Sequence, residues 1–171
     1  MASGSSIWQG DKLAGISCAD TVRSDADYMR EALALAREAA KRGEVPVGAL
    51  IVRENAIIGE GVNCPIATSD PTAHAEIVAL RAAGVSSGDY RLAGATLYVT
   101  LEPCIMCAAA LVHARVARVV FGAWDPKAGG AGSVADVFAI RELNHRVDVF
   151  GGVLAEECGT LLSEFFRARR S

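Results

Sequence analysis

The sequence predicts an α/β fold, a three-layer α/β/α arrangement in which one five-stranded mixed sheet is covered by helices on both faces. Three observations point to it. A hairpin pattern comes early in the chain, and strand-like and helix-like segments then alternate to the end. The 171 residues, without internal repeat or low-complexity run, suit one domain with a real core rather than two.

Residues 25–42 repeat apolar side chains at helical spacing (Met29, Leu33, Ala36, Ala40, with Ala32 and Leu35 beside them), and Gly43 stops the pattern. Residues 45–52 are apolar and β-branched, Arg53-Glu54-Asn55 reads as a turn, and residues 56–62 return as the second strand of a hairpin. A polar loop with two prolines covers residues 63–71. Thr72 is suited to cap a helix that carries His74, Glu76, Ile77 and Leu80 and stops near Gly84. Residues 95–101 (Ala-Thr-Leu-Tyr-Val-Thr-Leu) predict a central strand, ended by Pro103, and a helix begins near Cys104 and runs through Val112. A valine-rich strand over residues 115–123 leads to a glycine-rich loop at 125–132, a short helix at 134–140 and a last strand at 147–153. Residues 155–170 close the chain as an amphipathic helix containing Leu161, Leu162, Phe165 and Phe166.

Composition narrows the class. Apolar residues make up 51% and charged residues 22%, as in ordinary globular domains, and no apolar run reaches the length of a membrane span. Residues 1–24 have neither a basic segment nor an apolar stretch of secretory type, so a mobile extension ahead of a single domain at 25–171 and a cytoplasmic location are expected. Cys18, Cys64, Cys104, Cys107 and Cys158 are odd in number and irregular in spacing, a poor disulfide framework in which only the Cys104–Cys107 pair has a spacing with meaning. Seventeen basic against twenty acidic residues give a net charge of −3, which excludes a general nucleic-acid binder but leaves room for a local basic surface. Arg167, Arg169 and Arg170 lie at its end, and Arg115, Arg118, Lys127, Arg141 and Arg146 all follow the cysteine pair.

The chemistry is carried by His74-Ala75-Glu76 and, about thirty residues on, Pro103-Cys104-Ile105-Met106-Cys107. A structural zinc site closes with four protein ligands, whereas a catalytic one leaves a position open. His74, Cys104 and Cys107 offer three ligands, and Glu76 is a carboxylate beside them better placed to move protons than to bind metal. Cys₂His ligation favours zinc. Two thiolates and a neutral imidazole make a zinc centre of limited Lewis acidity, so a neighbouring proton acceptor gains importance, and Glu76 fills that role. Both ligand clusters fall in predicted first helical turns, where free N–H groups and the helix dipole favour thiolates. A lone Cys-x-x-Cys is more often a structural half-site or redox pair, and a lone His-x-Glu is usually chance. Their ordered conjunction reverses that reading. It matches a known pattern, His-x-Glu followed by Pro-Cys-x-x-Cys, of the zinc nucleobase deaminases.

Further segments extend the match: Glu44-Val45-Pro46-Val47-Gly48-Ala49, Asp70-Pro71-Thr72-Ala73-His74-Ala75-Glu76-Ile77, Leu97-Tyr98-Val99-Thr100-Leu101-Glu102-Pro103-Cys104, Val119-Val120-Phe121-Gly122-Ala123, Asn144-His145-Arg146-Val147 and Leu161-Leu162-Ser163-Glu164-Phe165-Phe166-Arg167. From about residue 25 to residue 170 the chain resembles the bacterial-type tRNA-specific adenosine deaminases of the cytidine-deaminase-like superfamily. The resemblance implies a homodimer with one Zn²⁺ per subunit that converts adenosine to inosine at the wobble position of the tRNA anticodon stem-loop. It implies zinc on His74, Cys104 and Cys107, proton transfer by Glu76, and a nucleoside contact from Asn63. It also implies RNA contacts from Asp125 and Lys127 and an RNA path along Phe165, Phe166, Arg169 and Arg170. Phe165 and Phe166 are adjacent on a helix and cannot both face one way, so one of them belongs to the core side. Cys64 and Trp124 depart from the pattern by removing phosphate contacts, although Trp124 can stack on a base.

Two other readings compete. A deaminase of a free base or nucleoside needs a closed pocket, and the chain ends in a basic helix with nothing beyond it to serve as a lid. A non-catalytic zinc module, or an inactive partner subunit, has no need of Glu76.

Overall fold

The computed structural model describes residues 23–170. Helix α1 spans Asp25–Lys41, and its start is fixed by a capping box in which Ser24 and Asp27 bond each other's backbone N–H. Of the expected N-terminal extension, residues 1–22 lie outside the described residues. Arg23 and Ser24 are among the described residues, the Arg23 guanidinium lying 4.2 Å over the Tyr28 ring. Strands β1 (Gly48–Arg53) and β2 (Ala56–Val62) form the expected hairpin through Glu54 and Asn55, both at positive φ. The first strand begins three residues later than its apolar run suggests, because Pro46 has no N–H to donate and Val47 N–H turns back onto Val45 O.

The loop after β2 contains a short helix, α2 (Pro65–Thr68), where the sequence suggests only irregular chain. Helix α3 (Ala75–Ser87) is capped by His74, not by Thr72, whose N–H and hydroxyl both go to Asp70 Oδ1 at 2.8 and 2.7 Å. It runs past Gly84 and ends at Gly88, which adopts a φ of +66°. Strand β3 (Thr96–Leu101), helix α4 (Ile105–His113, capped by Cys104) and strand β4 (Arg118–Ala123) follow, with Arg115 at φ +60° turning the chain before β4. Strand β5 (Asp148–Gly151) and helix α5 (Ala155–Ala168) complete the fold.

The expected helix at 134–140 does not form. Its amides are taken elsewhere: Val134 and Ala135 donate to Gly129 O, and Val137 donates to Gly130 O at 2.9 Å. The segment is instead tied to the loop before it, with a bridge between Ala131 and Asp136.

The sheet order is β2-β1-β3-β4-β5, antiparallel between β2, β1 and β3 and parallel from β3 to β5. It is therefore the mixed five-stranded sheet expected. Alternation along the strands sends Ala49, Ile51, Leu97, Val99, Val119 and Phe121 to the face covered by α3 and α4. Leu50, Val52, Tyr98 and Val120 face α1 and α5. On the first face the helix lies unusually close. A Cβ on Gly61 would sit 2.0 Å from Ala75 O, and one on Gly59 would sit 2.5 Å from Ala79 O. These glycines, facing the alanine seam Ala75, Ala79 and Ala83, let the start of α3 rest on β2. On the other face Asp25 accepts from Tyr98 Oη at 2.8 Å and from the two terminal guanidinium nitrogens of Arg118, pinning α1 to β3 and β4. Among the described residues no helix is long and apolar enough to cross a membrane.

Candidate active site

Because β1 runs antiparallel to both β2 and β3, its beginning lies beside the ends of those strands and of β4. One edge of the sheet thus collects Val45 and Val47, Asn63, the Glu102–Cys104 turn and Asp125. They line a cavity of about 180 Å³ together with His74, Glu76, Leu101 and Ala128. Ligands of such sheets bind beyond the carboxyl ends of the parallel strands, and this cavity lies there.

His74 and Cys104 are the N-cap residues of α3 and α4, and Cys107 lies one turn into α4, fully buried. Both ligand groups therefore sit where helix N–H groups and dipoles favour negative charge, with His74 and Cys104 one position earlier than a first turn. The ligand atoms of His74, Cys104 and Cys107 all lie within 4.8 Å of one another. His74 Nδ1 is 3.6 Å from each sulfur. Tetrahedral zinc with ordinary Zn–S and Zn–N bonds would separate sulfur and nitrogen by about 3.6 Å, so the three residues are already spaced for the metal.

The protons of this cluster are unevenly held. Cys107 donates to Cys104, which with His74 nearby brings the Cys104 thiol down to about 4. Cys107 is pushed up by that same hydrogen bond and by burial. His74 is raised by its hydrogen bond to Cys104 and by the negative charge around it. Glu76, only 4% exposed, is raised to about 7, first by burial and then by the Cys104 charge. A carboxyl poised near neutrality beside a metal-ligand cluster is suited to accept and return a proton.

The remaining residues singled out in the sequence divide by distance from this centre. Asn63 is buried in the cavity wall, its N–H fixed to Val47 O at 3.0 Å. Asp125 shares the wall, and its Oδ1 accepts from Lys127 and Ala128 N–H, shaping its own turn. Lys127 and Phe166 line a neighbouring cleft of about 300 Å³ with Trp124, Asp125, Val45 and Leu101. Arg169 and Arg170 line a third cleft with Lys127, Phe166, Ser163 and Arg167. The three are neighbours: the first two share Val45, Leu101 and Asp125, and the second and third share Lys127, Ser163 and Phe166. Phe166 is the exposed member of the phenylalanine pair, meeting Phe165 edge-on, while Arg169 lies 4.4 Å over Phe165 and donates to Gly43 O. Trp124 is 54% exposed and packs edge-on against Phe121. Cys64 is half-buried just before α2, and the four described cysteines are free. A surface groove of about 920 Å³ lies elsewhere, between α3 and α4, lined by Leu80, Val85, Tyr90, Ala110 and His113 among others.

Two buried acids escaped the sequence reading. Glu44 accepts the Ala67 N–H at 2.8 Å and so anchors α2 beside Asn63. Glu102 accepts the N–H groups of Asp125, Ala131 and Ser133 and the Ser133 hydroxyl. Burial pushes its carboxyl up, but these hydrogen bonds outweigh burial and hold it below the usual range. A charged residue at the end of an apolar strand, directly before Pro-Cys, is the signal that could have marked it.

The sequence profile of the cytidine and deoxycytidylate deaminase zinc-binding region matches residues 22–123. The chain is 54% identical over 152 residues to the tRNA-specific adenosine deaminase of Haemophilus influenzae, covering 87% of this chain and 88% of that one. To the tRNA-specific adenosine deaminase of Bacillus subtilis it is 48% identical over 143 residues, covering 84% and 89%. A structure from studies of A-to-I editing by tRNA:A34 deaminases at the wobble position of transfer RNA superimposes with a TM-score of 0.77 at 44% identity, covering 79% of this chain and 98% of that one. A guanine deaminase from Nitrosomonas europaea shares the fold, with a TM-score of 0.69 at 23% identity over 84% of this chain and 85% of the other.

Proposed function

This chain belongs to the cytidine and deoxycytidylate deaminase zinc-binding family and, within it, to the tRNA-specific adenosine deaminases, and from that premise we propose that it hydrolyses adenosine to inosine at the wobble position of tRNA anticodon loops. The observation that carries the reading is a buried Glu76, held near neutrality, in one cavity with His74 and Cys104, whose ligand atoms form with that of Cys107 a cluster spaced for zinc.

His74 Nδ1, Cys104 Sγ and Cys107 Sγ would hold one zinc ion per subunit. When bound, zinc supplies the Lewis acidity that makes water a competent nucleophile at neutral pH. Glu76 takes a proton from the water that adds to C6 of the adenine and delivers it to N1. It then takes the second proton from the C6 hydroxyl of the adduct and passes it to the amine, which leaves as ammonia when the C6–N bond breaks and the C6 carbonyl forms. A base in an RNA loop must leave its stack to reach so buried a group, and single-stranded loops allow that most readily. Asn63, able to donate and accept at once, would read an edge of the nucleoside. The Asp125–Lys127 turn, Phe166, Arg169 and Arg170 would follow the RNA on either side of the target, a reading supported by their lining of adjacent clefts beside the cavity.

We also propose a cytoplasmic location and a homodimer, the latter supported by the apolar groove between α3 and α4, where Val85 and Tyr90 stand exposed. The test of the function is to incubate unmodified tRNA with the purified protein and sequence it for inosine. Inosine confined to wobble adenosines is expected. Ammonia release from free bases with no inosine in RNA would overturn the reading in favour of a small-molecule deaminase.

A further inference from the structure

We propose that Glu102 is a positioning residue that fastens the loop over residues 125–133, which carries Asp125 and Lys127, to the turn that presents Cys104, so that the substrate-facing loop and the ligand turn are held as one piece. The proposal rests on the deaminase reading above. Glu102 follows the end of β3, two residues before Cys104, and is 2% exposed. A buried carboxylate without partners is costly, so the destination of its lone pairs reports its role. Oε2 accepts from Asp125 N–H at 2.9 Å and from the Ser133 hydroxyl, while Oε1 accepts from Ala131 N–H at 3.0 Å and Ser133 N–H at 3.1 Å. All these donors belong to the loop that follows β4, and none is a cation. They form a cradle of oriented dipoles around one negative charge.

The fit is close on every side. Gly129 passes so near that a Cβ there would meet the Glu102 carboxylate at 2.3 Å. Gly130 N–H donates to Pro103 O at 2.7 Å, and Cys104 and Gly129 form a β-bridge. The Glu102 N–H in turn donates to Ala123 O at 2.8 Å. Glu102 also borders the cavity, yet its four acceptor positions are occupied by loop donors, which leaves it unfit to carry protons for the reaction. Its contribution is geometric: it sets where Asp125 and Lys127 stand relative to Cys104.

The test is Glu102→Gln in the full chain. The amide replaces one acceptor oxygen with a donor; in the less costly orientation the NH₂ takes the Oε2 position, where the Ser133 hydroxyl can turn to accept from it but the bond from Asp125 N–H is lost. Hydrogen–deuterium exchange over residues 125–133 should speed up relative to the wild type. KM for an anticodon stem-loop should rise about tenfold, as for one net hydrogen bond to a charged group, while kcat and zinc content per chain hold. Unchanged exchange, or faster exchange with an unmoved KM, overturns the proposal, as does a loss of zinc that accounts for the whole defect. Should Glu102→Gln not fold, Ser133→Ala removes a single donor and is expected to raise KM about threefold in the same direction, and no rise would count against the brace. Absence of inosine formation by the wild type would sink the deaminase reading instead, and the exchange measurement still decides for or against the brace.

Discussion

Replacing Glu76 by Gln separates chemistry from stability. The amide keeps the volume of the side chain but can neither take a proton from water nor return one to the leaving amine. Positioned acid–base groups contribute typically about 10²–10⁴-fold, and Glu76 is asked to act at more than one step, so a fall in kcat of about 10⁴-fold is expected. That corresponds to about 5 kcal/mol of transition-state stabilisation. The same residue has the opposite effect on folding. In zinc-depleted protein its carboxyl titrates near 7 in the fold against 4.5 when free, because burial disfavours the charged form. For an acid raised in this way, stability is fully present below the free value and is lost as pH rises through the folded one, by about 3 kcal/mol. Zinc-depleted Glu76→Gln should therefore unfold at a higher temperature than zinc-depleted wild type at pH 8, and the gap should close below pH 4.5. The assays are single-turnover inosine formation in a stem-loop, zinc content per chain, and thermal unfolding of the chelated proteins across pH. Activity within tenfold of wild type would refute the proton-transfer role. A variant less stable than wild type at pH 8 would refute the burial argument.

Zinc uptake by the metal-free protein at pH 7 should release at least one proton per ion, because Cys107 is held protonated by Cys104 and by burial and His74 is raised. A pH indicator in weakly buffered solution reads this directly, and zinc binding without proton release would contradict it. Gly61→Ala should destabilise the fold by about 1–3 kcal/mol in urea titration, since the new methyl meets Ala75 O and the backbone of α3 must shift. Activity should fall with it, because His74 and Glu76 ride on that helix start; unaltered stability would show that the seam is not close-packed. Neutralising Arg169 and Arg170 together should weaken stem-loop binding and reduce the slope of log affinity against log salt by about 1–2, while an unchanged slope would exclude phosphate contacts.

The clustering of His74, Cys104 and Cys107 was legible in the sequence because metal chemistry fixes both residue type and spacing, and because Pro103 and the alanine-rich runs mark where helices begin. The sheet was legible for a similar reason, since β-branched runs bounded by turns alternate with helical periodicity. Helix starts were less so. Thr72 has the side chain of a cap, but Asp70 accepts its hydroxyl and N–H, and His74 takes the N-cap position without a side-chain capping bond. The segment at 134–140 has helical apolar spacing, yet spacing cannot report that carbonyls of Gly129 and Gly130 take its amides. Glu102 was hidden for the same physical reason. Its partners lie 23 to 31 residues away, and three of the four are backbone N–H groups, which carry no side-chain identity.

The glycines of β2 join packing to chemistry. Gly59 and Gly61 have no side chains to hold α3 off the sheet, so its alanine seam settles directly on the strand. That approach takes the start of α3 below the surface, and Glu76, in its first turn, goes with it. Burial then raises the carboxyl to about 7, where a proton is gained and lost with nearly equal ease at neutral pH. A larger residue at position 61 would act on the reaction without touching substrate, metal or proton, through the depth at which Glu76 is held. The proton-transfer role proposed for Glu76 would thus follow from how a strand and a helix pack, and the destabilisation that its burial brings would accompany a carboxyl able to exchange a proton near pH 7.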